Sequence, residues 1–274
     1  ISACLVGSEM CIRDSPDSAE LIMRKHILAA VQQHAAAQYP RECCGLVVQI
    51  GRAHRYVPCE NTAGEPGEQF RIAPEAYADA EDLGEIIAVV HSHPDATSRP
   101  SATDVAMCNA SALPWYILSW PEGDLRLLEP VDQVPLLGRP FVHGVQDCWQ
   151  VCADWFARAH GLKFPRYQRE DGWWEQADGP SHYEDLYEPA GFVRVDAPQR
   201  GDLVIMSIGR TAHPNHAGIY LGDDPSLPGE EVKVFGAGPF LLHHLYGKPS
   251  EIIVFGGPWW ERSRLVLRHP DINR

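Results

Sequence analysis

The sequence predicts an α+β protein of two domains, and three observations carry that expectation. Its 274 residues compare with roughly 150 per domain, enough for two independent cores. Helical and β-branched segments are mixed in the first half, whereas the second half reads as one helix followed by several strands. Three prolines and one glycine fall between Glu129 and Pro140, which places a domain boundary near residue 133. The expected division is residues 16–132 and 133–274.

Residues 1–15, ISACLVGSEMCIRDS, lack the basic start and apolar stretch of a signal peptide. They resemble translated sequencing-adapter sequence and read as a non-native leader, so Cys4 and Cys11 receive no role. Asp17 and Glu20 form a capping box, and Met23, Ile27, Ala30, Val31 and His34 continue at helical spacing until Pro40. Gly45–Ile50 and Ile86–Val90 are short apolar runs that read as buried strands. Pro74–Leu83 and Ser101–Ala110 read as helices, and Trp115–Trp120 with Leu125–Leu128 as a strand pair around a Pro-Glu-Gly-Asp turn.

Beyond the boundary, Cys148, Val151, Cys152, Trp155, Phe156 and Ala159 share one face of a helix that Asp147 can cap and Gly161 can end. Residues 162–200 are aromatic and irregular. Gly201–Met206, His216–Gly222, Val232–Phe235, Leu241–Leu245 and Ile252–Phe255 read as strands.

Composition removes several function classes. With 23 Lys+Arg against 37 Asp+Glu the formal charge is −14, which argues against nucleic acid as a partner. No run of about 18 apolar residues is present to span a membrane. The eight cysteines lack the spacing of a small disulfide scaffold and read as reduced thiols.

The first chemical constellation is His91-Ser92-His93-Pro94, then Ser101, then Asp104. Two imidazoles one residue apart on an extended segment face the same side, and a carboxylate ten residues on can complete a three-ligand zinc set with one position left for water. A hydrolase also needs a carboxylate to carry the water's proton, and Glu42, before the Gly45–Ile50 strand, is the candidate. Singly, Ser101 with Asp104 could be only a capping box, and His-x-His only two surface histidines. Together, Glu…His-x-His-Pro-x6-Ser-x2-Asp resembles the JAMM-type (JAB/MPN) zinc metallopeptidases, and Pro40-Arg-Glu-Cys-Cys-Gly45 matches the glutamate segment of their prokaryotic members. The resemblance covers about residues 20–130. It implies a deaminase-like α/β/α domain hydrolysing an amide or isopeptide bond, one Zn²⁺ on His91, His93 and Asp104, Glu42 as general base, and Ser101 supporting the oxyanion or the site's geometry. Cys43 could compete for the metal or be a core residue.

The second constellation begins with Cys148 at a helix start, where the dipole and free N–H groups favour thiolate. The strand segments supply His216 and His243 as partners, an arrangement with papain-like geometry. Asp-Cys before an amphipathic helix, then Gly-Asp-Leu-Val-Ile, then His-Ala-Gly-Ile-Tyr-Leu-Gly resemble the NlpC-type peptidoglycan peptidases over about residues 133–257. That resemblance implies Cys148 as nucleophile with a depressed pKa, His216 as general base within hydrogen-bond reach, and His243 as the third member, with His244 the alternative. The family's Cys-Ser-Gly is Cys148-Trp149-Gln150 here, and Phe141–Val145 replaces its upstream loop. His143, Trp173, Trp174, Trp259 and Trp260 could line the substrate cleft or simply pack.

The fusion of the two, with the Gly-Arg-Pro-Phe-Val-His-Gly junction, resembles the tail tip proteins of lambda-like tailed phages. It implies residence at a virion tail tip, or in the host cytoplasm during assembly, with action on the periplasmic cell wall at infection. The implied partners are peptidoglycan stem peptides and tail tip proteins. Two alternatives remain open from sequence: a structural tail component with vestigial sites, and a bacterial cell-wall recycling peptidase.

Overall fold

The structure, a computed structural model, describes residues 22–273, so the leader and the Asp17–Glu20 capping box lie outside the described residues. The chain divides into two compact units, one containing residues 22–101 and 111–130, the other residues 102–110 and 131–273.

In the first unit, helix α1 (Lys25–Gln38) presents Ile27, Val31 and Ala35 at four-residue spacing, all buried. Strands β1 (Cys44–Ile50) and β2 (Ala53–Cys59) form an antiparallel pair. Helix α2 (Pro74–Leu83) starts on its proline, where the missing N–H has no intrahelical partner to lose. Strand β3 (Glu85–Pro94) lies antiparallel to β1 and parallel to β4 (Trp115–Trp120), and β5 (Leu125–Leu128) closes the edge, giving the order β2-β1-β3-β4-β5. Helix α3 (Ala102–Ser111) falls in sequence between the parallel strands, although its residues 102–110 count with the second unit. One sheet face packs Cys43, Val47, Ala88, Val90, Tyr116 and Leu118 with the buried side of α1. A Cβ at Gly45 would stand 2.6 Å from the Tyr56 ring, so any larger residue there would force that buried ring to move.

Two expectations for this unit need correction. β3 does not stop at Val90 but continues through both histidines, because β1 pairs with it as far as His91 and β4 as far as Pro94. Strand β2 was not foreseen: as an edge strand paired only with β1 it alternates exposed and buried positions, and His54, Arg55 and Pro58 disguise it.

In the second unit, helix α4 (Cys148–His160) is capped by Asp147, whose side chain accepts from the Trp149 and Gln150 amides, and ends at Gly161 with φ 70°. A 3₁₀ turn (Trp173–Glu175) and the short helix α5 (His182–Leu186) follow. The six strands are β6 (Val193–Arg194), β7 (Leu203–Met206), β8 (His216–Gly222), β9 (Phe240–His243), β10 (Glu251–Val254) and β11 (Ser263–Arg268), with the four-residue helix α6 (Pro258–Glu261) before the last. Their order is β10-β9-β8-β7-β11-β6, antiparallel throughout. α4 lays Val151, Cys152, Trp155 and Phe156 onto Ala217, Ile219 and Leu242.

Val232–Phe235 is not a strand: no neighbour offers a ladder, Val232 and Val234 only pack against the core, and Phe235 is 95% exposed. β6 and β11 were not foreseen, although Ser-Arg-Leu-Val-Leu-Arg alternates in the β11 manner. All six cysteines among the described residues are free thiols.

Candidate active sites

Strand register builds the first site. Cys44 pairs with His91, and the bonds from Ser92 N to Cys43 O (3.0 Å) and from Cys43 N to Ser92 Oγ (2.9 Å) extend that pairing. Side chains alternate, so Cys44 shares a face with His91 and His93, while Cys43 turns to the α1 core. The ligand atoms of His91, His93 and Asp104 all lie within 4.8 Å of one another. The two Nε2 atoms are 3.1 Å apart, close to the roughly 3.3 Å between ligands of one tetrahedral zinc. His93 Nδ1 lies 2.9 Å from the Thr97 carbonyl. It must be the protonated nitrogen, which leaves the Nε2 lone pair facing the group. Phe70 stacks on His91 at 4.6 Å and Trp115 stands edge-on at 5.6 Å, fixing the ring. The donor set therefore fits zinc.

Glu42 is buried, His93 half-buried, Asp104 buried in the first turn of α3, and Ser101 exposed just before that helix. Asn61 holds the segment beside Glu42: its amide donates to the Glu42, Pro66 and Gln69 carbonyls at 3.0–3.3 Å and accepts from Ala63 and Arg71 N–H groups. Sequence reading gave Asn61 no role, as a lone Asn after a strand is ordinary turn chemistry. Cys43 does not compete for metal, since it packs with Ile27 and Val31. Cys44 faces the site, but burial first and then Cys59 and Cys43 push its thiol up to about 12, and its Sγ points to the Cys59 carbonyl at 3.7 Å.

In the second site Cys148, His216 and His143 line one cleft of about 170 Å³ together with Tyr183, Trp173, Trp174 and Tyr246. β8 and β9 pair Gly218 with His243, so His243 lies diagonal to His216 on the same face. Gly218 permits that approach, because a Cβ there would stand 2.9 Å from Leu241 and 3.0 Å from the Leu242 carbonyl. His216 Nε2 and His243 Nδ1 are 2.9 Å apart with the rings at 79°. His244 instead sets its ring edge-on to Phe141 at 5.1 Å. Trp259 stands edge-on to His243 at 4.9 Å, whereas Trp260 packs against Phe255.

The expected depressed thiol pKa is not found: burial first, then the Asp147 charge, raises Cys148 to about 11. The physical reason lies in the cap. Asp147 occupies the Trp149 and Gln150 amides that would have stabilised a thiolate, and sets its own charge beside the sulfur. Arg169 (2.5 Å) and the Gly144 amide (2.8 Å) hold the other carboxylate oxygen. Nor does the sulfur hydrogen-bond His216; its side-chain partner is the Tyr183 hydroxyl at 3.4 Å. Tyr183 carried no sequence signal, lying 35 residues from Cys148 in the irregular segment.

Burial, and then the neighbouring His243 and His244, holds His216 well below the usual imidazole range; burial and His244 lower His243 to about 4. Both rings are neutral at pH 7, and only an Nε2–H tautomer of His216, donating to His243 Nδ1, leaves its Nδ1 free as a base. A histidine whose folded pKa is depressed contributes stability above its unfolded pKa and loses it as pH falls. Between about pH 6.5 and 4 the unfolded chain takes the proton first, so His243 should cost roughly 3 kcal/mol across that window. Denaturant unfolding at pH 7 and 4.5 checks this, with His243→Asn expected to flatten the dependence and an unchanged slope counting against it.

A family model for prokaryotic homologs of the JAB domain matches residues 24–129, and the NlpC/P60 family model matches residues 138–261. The chain is 46% identical over 252 residues to the tail tip assembly protein K of Escherichia phage N15, covering 92% of this chain and 97% of that protein. It is 34% identical over 200 residues to the tail tip assembly protein K of Escherichia phage lambda, covering 72% and 89%. Over 110 residues it is 26% identical to the CysO-cysteine peptidase of Mycobacterium tuberculosis, covering 36% of this chain and 73% of that protein.

Proposed function

The chain belongs to the tail tip assembly protein K family and carries a JAB domain and an NlpC/P60 domain; from this we propose that it works at a phage tail tip as a hydrolase of two different amide bonds. The cysteine site cuts peptidoglycan stem peptides, at the D-glutamyl to diaminopimelate amide. The zinc site cuts an amide or isopeptide of a tail component. The observation that carries this reading is the shared cleft of Cys148 and His216, with His243 bonded behind His216.

In the cysteine site, His216 Nδ1 takes the Cys148 proton and the sulfur attacks the scissile carbonyl. A C–S bond forms and the carbonyl π pair moves to oxygen. His216 then returns the proton to the leaving amine as the C–N bond breaks, and water hydrolyses the thioester. A thiol near pKa 11 is mostly protonated at neutral pH, so its proton leaves to His216 as the attack proceeds. Trp173, Trp174 and Tyr246 offer flat faces for the stem peptide and its sugar.

In the first site His91, His93 and Asp104 would hold zinc. Bound zinc supplies Lewis acidity there, polarising a carbonyl and acidifying water. Glu42 would act as the general base there, taking a proton from the attacking water and returning it to the leaving amine. The CysO-cysteine peptidase relative supports peptidase chemistry in this domain. The work is proposed for the virion tail tip and, at infection, the periplasmic cell wall. No described helix is long and apolar enough to cross a membrane.

Digestion of defined muropeptides followed by mass spectrometry tests the reading. The expected product ends at D-glutamate with diaminopimelate as the new amino terminus. Intact stem peptides after incubation with folded protein whose Cys148 accepts iodoacetamide would refute it.

A further inference from the structure

We propose that Tyr183 is a catalytic residue of the cysteine site, donating its hydroxyl first to the Cys148 thiolate and then to the oxyanion formed at the scissile carbonyl. The inference rests on the reading of Cys148 as nucleophile. The hydroxyl lies 3.4 Å from Cys148 Sγ, and among the described residues no other hydrogen-bond partner is found for it. The ring is fixed edge-on to Trp149 at 6.5 Å and tilted against Trp173 at 6.1 Å. The short helix α5 thus brings a single donor to the one sulfur in the cleft.

A cysteine attack needs a donor at two moments. While sulfur carries the charge, a hydroxyl bonded to it favours thiolate over thiol. When the C–S bond has formed, the charge sits on an oxygen one bond angle from that sulfur, and a small shift brings a hydroxyl from 3.4 Å to the roughly 2.7–3.1 Å of an oxyanion donor. The phenol keeps its proton throughout, because burial first, then Cys148 and Asp147, holds it well above its ordinary range. Tyr183 therefore donates a hydrogen bond without transferring the proton, and His216 alone carries the proton from sulfur to amine. The capping carboxylate of Asp147 occupies the Trp149 and Gln150 amides, so this helix start offers fewer backbone donors than an uncapped one, and a side-chain donor adds to them.

Tyr183→Phe keeps the ring packing and removes only the hydroxyl. On muropeptides its kcat should fall roughly 10²-fold with KM little changed. Following Cys148 alkylation by peptide mass spectrometry across pH, the midpoint should rise by about one unit. A merely structural tyrosine would move neither reading, and wild-type values for both would overturn the proposal. A shifted midpoint in a protein that cleaves no muropeptide would uphold Tyr183 as the thiolate's donor while removing the stem-peptide reading. Should Tyr183→Phe fail to fold, site-specific Tyr183→3-fluorotyrosine, a stronger donor, should lower the midpoint, and an unmoved midpoint would overturn the proposal.

Discussion

Replacing Cys148 with alanine should abolish stem-peptide cleavage, by at least roughly four orders of magnitude, and leave the zinc content untouched. The expected loss is near-total because no second thiol can substitute: Cys152 is fully buried one turn along α4 among Trp155, Phe156 and Leu242. Removing one sulfur from a position already packed against its surroundings disturbs the core little, so folding should survive. His216→Ala should approach the same loss, since it removes the acceptor of the thiol proton and the donor to the amine. His243→Asn should act more mildly, through the orientation of His216. Kinetics on one muropeptide across the three variants checks the ranking, and a Cys148→Ala protein retaining a tenth of wild-type rate would exclude the thiol as nucleophile.

Glu42→Gln should keep zinc but lose roughly 10²- to 10⁴-fold in zinc-dependent hydrolysis, because a carboxamide cannot accept the water's proton. His91→Ala and Asp104→Ala should instead lose the metal, each deleting one of the three convergent donors. Elemental analysis separates the two classes. Zinc lost from Glu42→Gln would make Glu42 a ligand and leave the site without its proposed base. The ring-fixing contacts of Phe70 and the Thr97 carbonyl place a second tier of residues on which affinity should depend less steeply.

Sequence conveyed the elements whose signals are local. Asp147 and Gly161 mark both ends of α4 because capping chemistry is written in adjacent residues. Pro74 and the apolar run Trp115–Trp120 likewise place α2 and β4. What stayed hidden depends on distant partners. β2 and β11 exist because neighbouring strands pair with otherwise unremarkable residues, and the alternating Val232–Phe235 is not a strand because no such neighbour reaches it. That His91 and His93 would converge was legible, since both histidines share one strand and period-2 alternation aligns them. In the cysteine cleft the proximity of Cys148, His216 and His243 was legible, but not the state of the sulfur. A helix start by itself favours thiolate, whereas the aspartate that starts this helix consumes the amides and adds a charge. Tyr183 could not be read at all, because its place beside the sulfur is set by the path of residues 162–182.

The central claim is that one chain carries two chemically independent hydrolytic sites. Treating the folded protein in parallel with a zinc chelator and with iodoacetamide, and assaying both muropeptides and a panel of isopeptide-linked peptides, tests it most directly. The account predicts that chelation silences the isopeptide activity and spares stem-peptide cleavage, and that alkylation does the reverse. Loss of both activities under either reagent, with the protein still folded, would contradict it.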